Sequence, residues 1–286
     1  MSGHPVRIIS PDQLTGAGEV GPFPIEQFER RCLAQGDSWF SMGAVPPFLT
    51  TNLLLELDEL DRGTCIVNCA TPGATLKRMV DTVRSKVFRR LLVTEKWDAI
   101  LLSGSGNDLI AALGADHPDP ARRLLARQEE WSDAAADGSR YLSAAGWLTF
   151  TDHIRAMFDE LVAKRASGPS AQAAIVLHTY DVAIPRDAPA GPGFGPWFSK
   201  ALQHFDVPAA DWAAVADVLF GRLHVLLKGI SDSDPSLVLV DTVGVLQKAS
   251  NEPGVSGDWQ NEIHPTRTGY NKLGQRWEAA LNEVLR

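Results

Sequence analysis

The chain is predicted to be an α/β protein built on a parallel sheet, and three observations carry that prediction. Short runs of Ile, Val, Leu and Ala without polar alternation recur along it, as strands covered on both faces do. Segments of helical periodicity separate those runs, and strand alternating with helix argues a doubly wound sheet. At 286 residues with 44% hydrophobic side chains, the chain is large enough to bury the core of one such domain.

Five strands are expected. Cys32–Ala34 leads into "GDS"; Thr64–Ala70 reads "TCIVNCA"; Ala99–Ser103 reads "AILLS"; Ala173–His178 reads "AAIVLH"; Leu237–Val240 reads "LVLV". Helical patterns cover 51–60 and 74–87 between the first three strands, 150–165 before the fourth, 210–230 before the fifth, and 266–285 at the end. Residues 1–30 read as an N-terminal extension and 31–286 as the domain. Within it, 108–148 and 182–208 are longer than a crossover requires, the second dense in Pro and Gly ("PRDAPAGPGFGPWF"). Long segments beside strand ends serve as lids, as pocket walls or simply as surface loops. The expected architecture is a three-layer α/β/α sandwich of flavodoxin-like topology, five parallel strands in the order 2-1-3-4-5.

Composition narrows the partners. Net charge is −8 and no Lys/Arg run exceeds two residues, so neither nucleic acid nor an anionic membrane surface is expected. The N-terminal "MSGHPVRIISPDQL" lacks the apolar core of a signal peptide, and no window approaches the ~18 apolar residues of a membrane span; a cytoplasmic protein is expected. Cys32, Cys65 and Cys69 show no zinc spacing and read as reduced thiols in core strands. His4, His117, His153, His204 and His224 show no paired ligand pattern, so no metal is expected.

In an open parallel sheet, ligands bind along the rim formed by the carboxyl ends of the strands. The residues that follow each strand are Ser38 in "GDSWFS", Gly73 in "TPGAT", Asn107 in "GSGNDL", His178 and Asp181 in "HTYDV", and, past the "DT" of the fifth strand, His264 in "DWQNEIHPT". A serine, a glycine, an asparagine and a histidine on one edge suit acyl transfer. A serine hydroxyl needs a base to remove its proton, an imidazole of ordinary pKa ~6.5 can serve, and the resulting oxyanion needs N–H donors.

With these blocks in this order the chain resembles the SGNH hydrolases of the GDSL esterase/lipase superfamily, over roughly residues 31–285. The resemblance implies that Ser38 is the nucleophile, that Ser38, Gly73 and Asn107 form an oxyanion hole, that His264 is the general base, and that no cofactor is needed. The implied substrate is a small-molecule carboxylic ester: a short-chain ester, a thioester, a lysophospholipid or an acetylated sugar. One position departs from the family. Where an aspartate usually stands three residues before the histidine, this chain has Asn261. Asn261 can hold the imidazole without adding charge, or the acid can be Asp241, Asp258 or Glu262, or the site can run on a Ser–His dyad. The missing carboxylate also motivates a rival reading, a catalytically weak or inactive ligand-binding module on the same fold.

Each of these residues has a plainer reading. Ser38 can cap a helix, Gly73 can ease a helix start after Pro72, Asn107 can make an Asx-turn, and His264 can be a satisfied loop histidine. Trp39, His178 and Asp181 are candidate substrate contacts, with burial in the core the stronger reading for His178. Trp39, Phe40, Trp197 and Phe198 can line an acyl pocket or fill the core equally well.

Overall fold

Among the described residues six strands form one parallel sheet, and the second of them is its pivot. In the computed structural model, which describes residues 6–16, 21–41, 51–57, 60, 63–81 and 85–286, the strands are β1 (Arg7–Ile9), β2 (Arg30–Gly36), β3 (Thr64–Asn68), β4 (Ala99–Ser103), β5 (Ala174–His178) and β6 (Leu237–Val240). Their order is β1-β3-β2-β4-β5-β6. The five strands expected from sequence keep the predicted order 2-1-3-4-5. The correction is the sixth: β1 comes from the stretch assigned to the N-terminal extension and pairs with β3, Arg7 opposite Cys65 and Ile9 opposite Val67. Three residues are too few to show a period, which is why composition passed over them.

Among the described residues eight α-helices accompany the sheet: α1 (Pro11–Thr15), α2 (Leu76–Val80), α3 (Lys86–Thr94), α4 (Gly106–Leu113), α5 (Ala144–Ala166), α6 (Phe198–His204), α7 (Trp212–Ser233) and α8 (Arg267–Val284). α5 packs against α2, α3 and α7, while α8 packs against the 3-10 turn Leu53–Glu56. That turn is all the helix found within 51–57, because Asn52 caps it through Leu55 N–H; residues 58 and 59 of the expected helix lie outside the described residues. The expected helix 74–87 is also divided. α2 stops at Val80, where Asp81 turns extended, and α3 begins at Lys86; 82–84 lie outside the described residues. The first six residues of the 108–148 segment belong to α4 and the last five to α5, and between them lie the 3-10 turns Pro120–Arg122, Gln128–Glu130 and Gly138–Tyr141. The 182–208 segment contains α6.

One hydrophobic core runs from Ile9 to Leu285. Full burial of a Leu, Ile or Val side chain contributes roughly 1.5–3 kcal/mol over leaving it exposed, so the strand interiors dominate stability. Cys32 and Cys65 belong to that core as free thiols, their pKa values pushed up to about 12 and about 11, in each case chiefly by burial. No helix among the described residues is long and apolar enough to cross a membrane.

Register aligns the carboxyl ends. Ala34 pairs with Asn68, Gly36 with Ser103, Leu102 with Leu177, and His178 with Val240. The segments that follow these residues therefore emerge on one rim.

Candidate active site

Ser38 sits two residues past β2, in a turn held from below. Asp37 donates its amide to the Ser103 carbonyl at 3.1 Å, and its carboxylate accepts Trp39 N–H at 2.9 Å. Trp39 in turn donates its indole N–H to the Ile263 carbonyl at 3.2 Å, tying this turn to the loop that carries His264. Ser38 Oγ lies 2.8 Å from His264 Nε2.

The other imidazole nitrogen settles the tautomer. His264 Nδ1 is 3.0 Å from Asn261 Oδ1. That oxygen also accepts the backbone N–H of Ile263 at 3.1 Å and of His264 at 3.0 Å. Two fixed donors aimed at one atom identify it as the amide oxygen, so Nδ1 carries the hydrogen and Nε2 is free to accept from Ser38. Asn261 Nδ2 is buried without a partner. The cost of burying an orphaned donor, ~1–3 kcal/mol, is borne beside the reactive groups. Burial, with no carboxylate opposite it, pushes the His264 pKa down to about 4.

The three acids weighed against Asn261 are engaged elsewhere. Glu262 is fully buried and accepts four backbone N–H groups: Arg186 at 3.2 Å, Trp197 at 2.5 Å, Phe198 at 2.8 Å and Ser199 at 2.7 Å. It anchors the 182–208 segment to the histidine loop. Asp258 accepts Gln247 N–H at 2.7 Å and Lys272 Nζ at 2.6 Å. Asp241 accepts from Thr179 Oγ1 at 3.1 Å and pairs with His224 Nε2 at 3.0 Å. None of these carboxylates is hydrogen-bonded to His264.

Gly73 stands on the loop after β3 and Asn107 in the first turn of the adjoining α4. Thr71-Pro72-Gly73-Ala74 is a tight turn closed by Ala74 N–H on the Thr71 carbonyl at 3.2 Å, and Gly73 takes φ +70°. Pro at the second place and a left-handed residue at the third are the demands of a type II turn, and a side chain would be strained there. Thr71 N–H binds the Gly36 carbonyl at 2.9 Å, fastening this turn beside the serine turn. Asn107 donates from Nδ2 to the Ala74 carbonyl at 3.2 Å, which leaves its second amide hydrogen. Among the described residues the Ser38 and Gly73 amides donate to nothing within the chain. Three N–H donors are thus left over on the serine turn and the two segments fastened beside it.

The "GSGND" stretch explains how Asn107 is aimed. Ser105 adopts φ +84°, a strained conformation for a non-glycine residue that costs ~1–3 kcal/mol, and α4 starts immediately after it. A Cβ on Gly106 would lie 2.8 Å from the Tyr180 ring, so only glycine permits that approach. Asp108, which sequence reasoning did not single out, accepts Leu76 N–H at 2.9 Å and docks α2 against α4.

His178 is engaged within the core, whereas Asp181, though buried, borders the same cavity as Ser38. His178 is buried, stacked on Trp39 at 5.4 Å between ring centroids, and gives its Nδ1 hydrogen to the Thr179 carbonyl at 2.7 Å. Its Nε2 is 3.0 Å from Ser103 Oγ, which is also 2.9 Å from Asp37 Oδ1. Ser103 has one hydrogen, so a protonated Asp37 satisfies both contacts and an ionised one leaves a contact unmade. Burial raises the Asp37 pKa to about 6 and lowers that of His178 to about 4. Asp181 accepts Val182 and Leu246 N–H, at 2.9 and 2.8 Å. Trp197 sets its ring edge-on to His264 at 5.9 Å, while Phe198 is core. Arg186, another residue the sequence did not flag, donates to the Asn261 carbonyl at 2.8 Å and so braces the loop. Among the described residues no group of three or more His, Cys, Asp or Glu is arranged to hold a metal ion.

No protein-family model and no curated protein matches the chain. Solved structures do. A candidate lipase from Chitinophaga pinensis is 12% identical with a TM-score of 0.53, over 90% of this chain and 100% of that one. An extracellular lipase from Streptomyces rimosus is 15% identical with a TM-score of 0.48, over 90% and 100%. A GDSL-like lipase candidate from Parabacteroides merdae is 11% identical with a TM-score of 0.49, over 90% and 97%. At such identities the likeness is one of fold, and the argument rests on the first of the three. The parallel sheet flanked by helices is thus a fold that this chain shares with the Chitinophaga pinensis protein.

Proposed function

We propose that the chain is a serine ester hydrolase that works through an acyl-enzyme. The observation that carries this reading is the hydrogen-bonded chain Ser38–His264–Asn261, at 2.8 Å and 3.0 Å. His264 takes the Ser38 proton at Nε2 as Oγ attacks the ester carbonyl carbon. Charge gathers on the carbonyl oxygen, where the Ser38 and Gly73 amides and Asn107 Nδ2 supply donors. His264 then gives the proton to the leaving alcohol oxygen. Water repeats the sequence on the acyl-enzyme and releases the acid. Asn261 positions the ring and accepts its Nδ1 hydrogen throughout; it stabilises the imidazolium only as a dipole. No step requires a metal or cofactor.

The reading is tested with p-nitrophenyl acetate. The wild-type protein hydrolyses it in proportion to enzyme concentration, and Ser38→Ala, folded by circular dichroism, does not. Equal turnover by the two proteins would place the nucleophile elsewhere. No hydrolysis of any ester would favour the binding-module reading.

A further inference from the structure

Beside Ser38 lies a half-enclosed cavity of about 30 Å³. Ser38 and Asn107 form part of its wall, and Ile110, Ala183, Phe220 and Trp259 supply apolar surface. These four come from α4, the loop after β5, α7 and the histidine loop, so two helices and two loops share the boundary. Two carboxylates, Asp37 and Asp181, also border it. Each accepts hydrogen bonds from within the protein, and the described wall holds no Lys or Arg to receive an anionic acyl chain. His264 is absent from the described wall.

Ser38 and Asn107 border the cavity while His264 Nε2 lies 2.8 Å from Ser38 Oγ, and these positions divide the two halves of the ester. The leaving oxygen must meet His264 Nε2 to be protonated, so the alcohol lies on the histidine side. The acyl group stays on Ser38 after the alcohol departs and takes the side away from His264, where the cavity is. A water-sized group needs roughly 10–15 Å³ of such space, so two or three carbons beyond the carbonyl fill it. We propose that this cavity is the acyl pocket and that it limits the substrate to esters of unbranched, uncharged acyl groups of two to four carbons. The proposal rests on the reading of Ser38 as nucleophile and adds the acyl class to it.

Ile110 and Ala183 set the limit from opposite sides. Ile110 lies three residues past Asn107 on α4 and is half-buried; its truncation opens the pocket without removing a hydrogen bond. Ala183 is buried, and a larger side chain there would project into the space. The test compares kcat/KM for p-nitrophenyl acetate, butyrate and octanoate, which share one leaving group, in wild type, Ile110→Ala and Ala183→Val. Ratios within each protein cancel losses of folded enzyme, and a fluorophosphonate probe counts the active serines. The expected result is that wild type prefers acetate or butyrate to octanoate at least 100-fold. Ile110→Ala should raise the octanoate-to-acetate ratio at least tenfold, and Ala183→Val should lower the butyrate-to-acetate ratio at least threefold. Octanoate within threefold of acetate in wild type, or ratios that neither variant moves, would overturn the acyl limit while leaving the nucleophile intact. A Ser38 that the probe labels but that hydrolyses none of the three esters would also overturn it. Absence of both labelling and hydrolysis would overturn the hydrolase reading and this inference together.

Discussion

Asn261 Oδ1 stands 3.0 Å from His264 Nδ1 and accepts two backbone N–H groups besides, so the residue that orients the imidazole is a neutral amide. In serine hydrolases of the usual kind a carboxylate holds this nitrogen and stabilises the imidazolium, and exchanging that carboxylate for an amide in a serine protease costs ~10⁴ in turnover. Here the loop is built around the amide.

Asn261→Asp should therefore restore charge without disturbing geometry, because all three donors aimed at Oδ1 suit a carboxylate oxygen better than an amide. An opposite charge at hydrogen-bond distance raises a histidine pKa by ~1–3 units. The acid limb of kcat/KM should move to higher pH by that amount, and kcat at pH 8 should stay equal or rise. Asn261→Ala should lower kcat at least tenfold with KM changed less than threefold. A milder effect at 261 than at 241, 258 and 262 would assign the orienting role to another residue.

The pH profile of the wild-type protein carries its own prediction. Burial holds the His264 pKa down to about 4, and the base must be neutral to accept the Ser38 proton. The kcat/KM should climb through an apparent pKa near 4 and stay level between pH 6 and 8. An inflection at 6.5–7 in initial rates would show an imidazole of ordinary solvation and contradict the buried arrangement.

Much of this was legible in the sequence. Ser38, Gly73, Asn107 and His264 each follow a strand, so topology alone puts them on one rim, and the turn residues Pro72 and Gly73 announce their own backbone. What was illegible depends on partners distant in the chain. Nothing in "QNEIH" says that Glu262 points at Trp197, Phe198 and Ser199 while Asn261 points at the ring. The pairing of Ser103 with His178 and the brace from Arg186 are equally invisible until β4, β5 and the 182–208 segment are folded together. β1 escaped because three residues have no pattern.

Glu262 separates stability from chemistry. A buried carboxylate that accepts four backbone N–H groups leaves all four orphaned when truncated, and one unsatisfied buried group costs ~1–3 kcal/mol. Glu262→Ala should lower the unfolding free energy by at least ~3 kcal/mol in urea denaturation. Asp241→Ala removes only half-exposed contacts, so it should change both stability and kcat little. A stable, inactive Glu262→Ala would mean that Glu262 acts in catalysis after all.

Stability should also follow pH through three buried groups. His178 and His264, each held down to about 4 by burial, refuse a proton that the unfolded chain binds near pH 6.5. Their contribution is present above pH 6.5 and lost as pH falls toward 4. Asp37, raised to about 6 by burial, acts with the opposite sign: its contribution is present below the ordinary carboxylate pKa and lost as pH rises through 6. At ~1.36 kcal/mol per pKa unit, the two histidines lose ~6 kcal/mol between pH 7 and 4 and Asp37 regains ~3. Urea unfolding should give a net fall of ~3 kcal/mol from these groups, nearly abolished in His264→Gln. Stability unchanged or higher at pH 4 would contradict the assignment of neutral buried histidines.

The most direct measurement is peptide mass spectrometry of the protein after reaction with a fluorophosphonate, which forms a bond only with a serine oxygen activated by a base. The expected result is a single stoichiometric adduct on Ser38, formed at a rate that falls at least 100-fold in His264→Ala and at least tenfold in Asn261→Ala. An unlabelled Ser38 in folded wild-type protein, or labelling as fast without His264 as with it, would contradict the account of Ser38 as a nucleophile driven by His264.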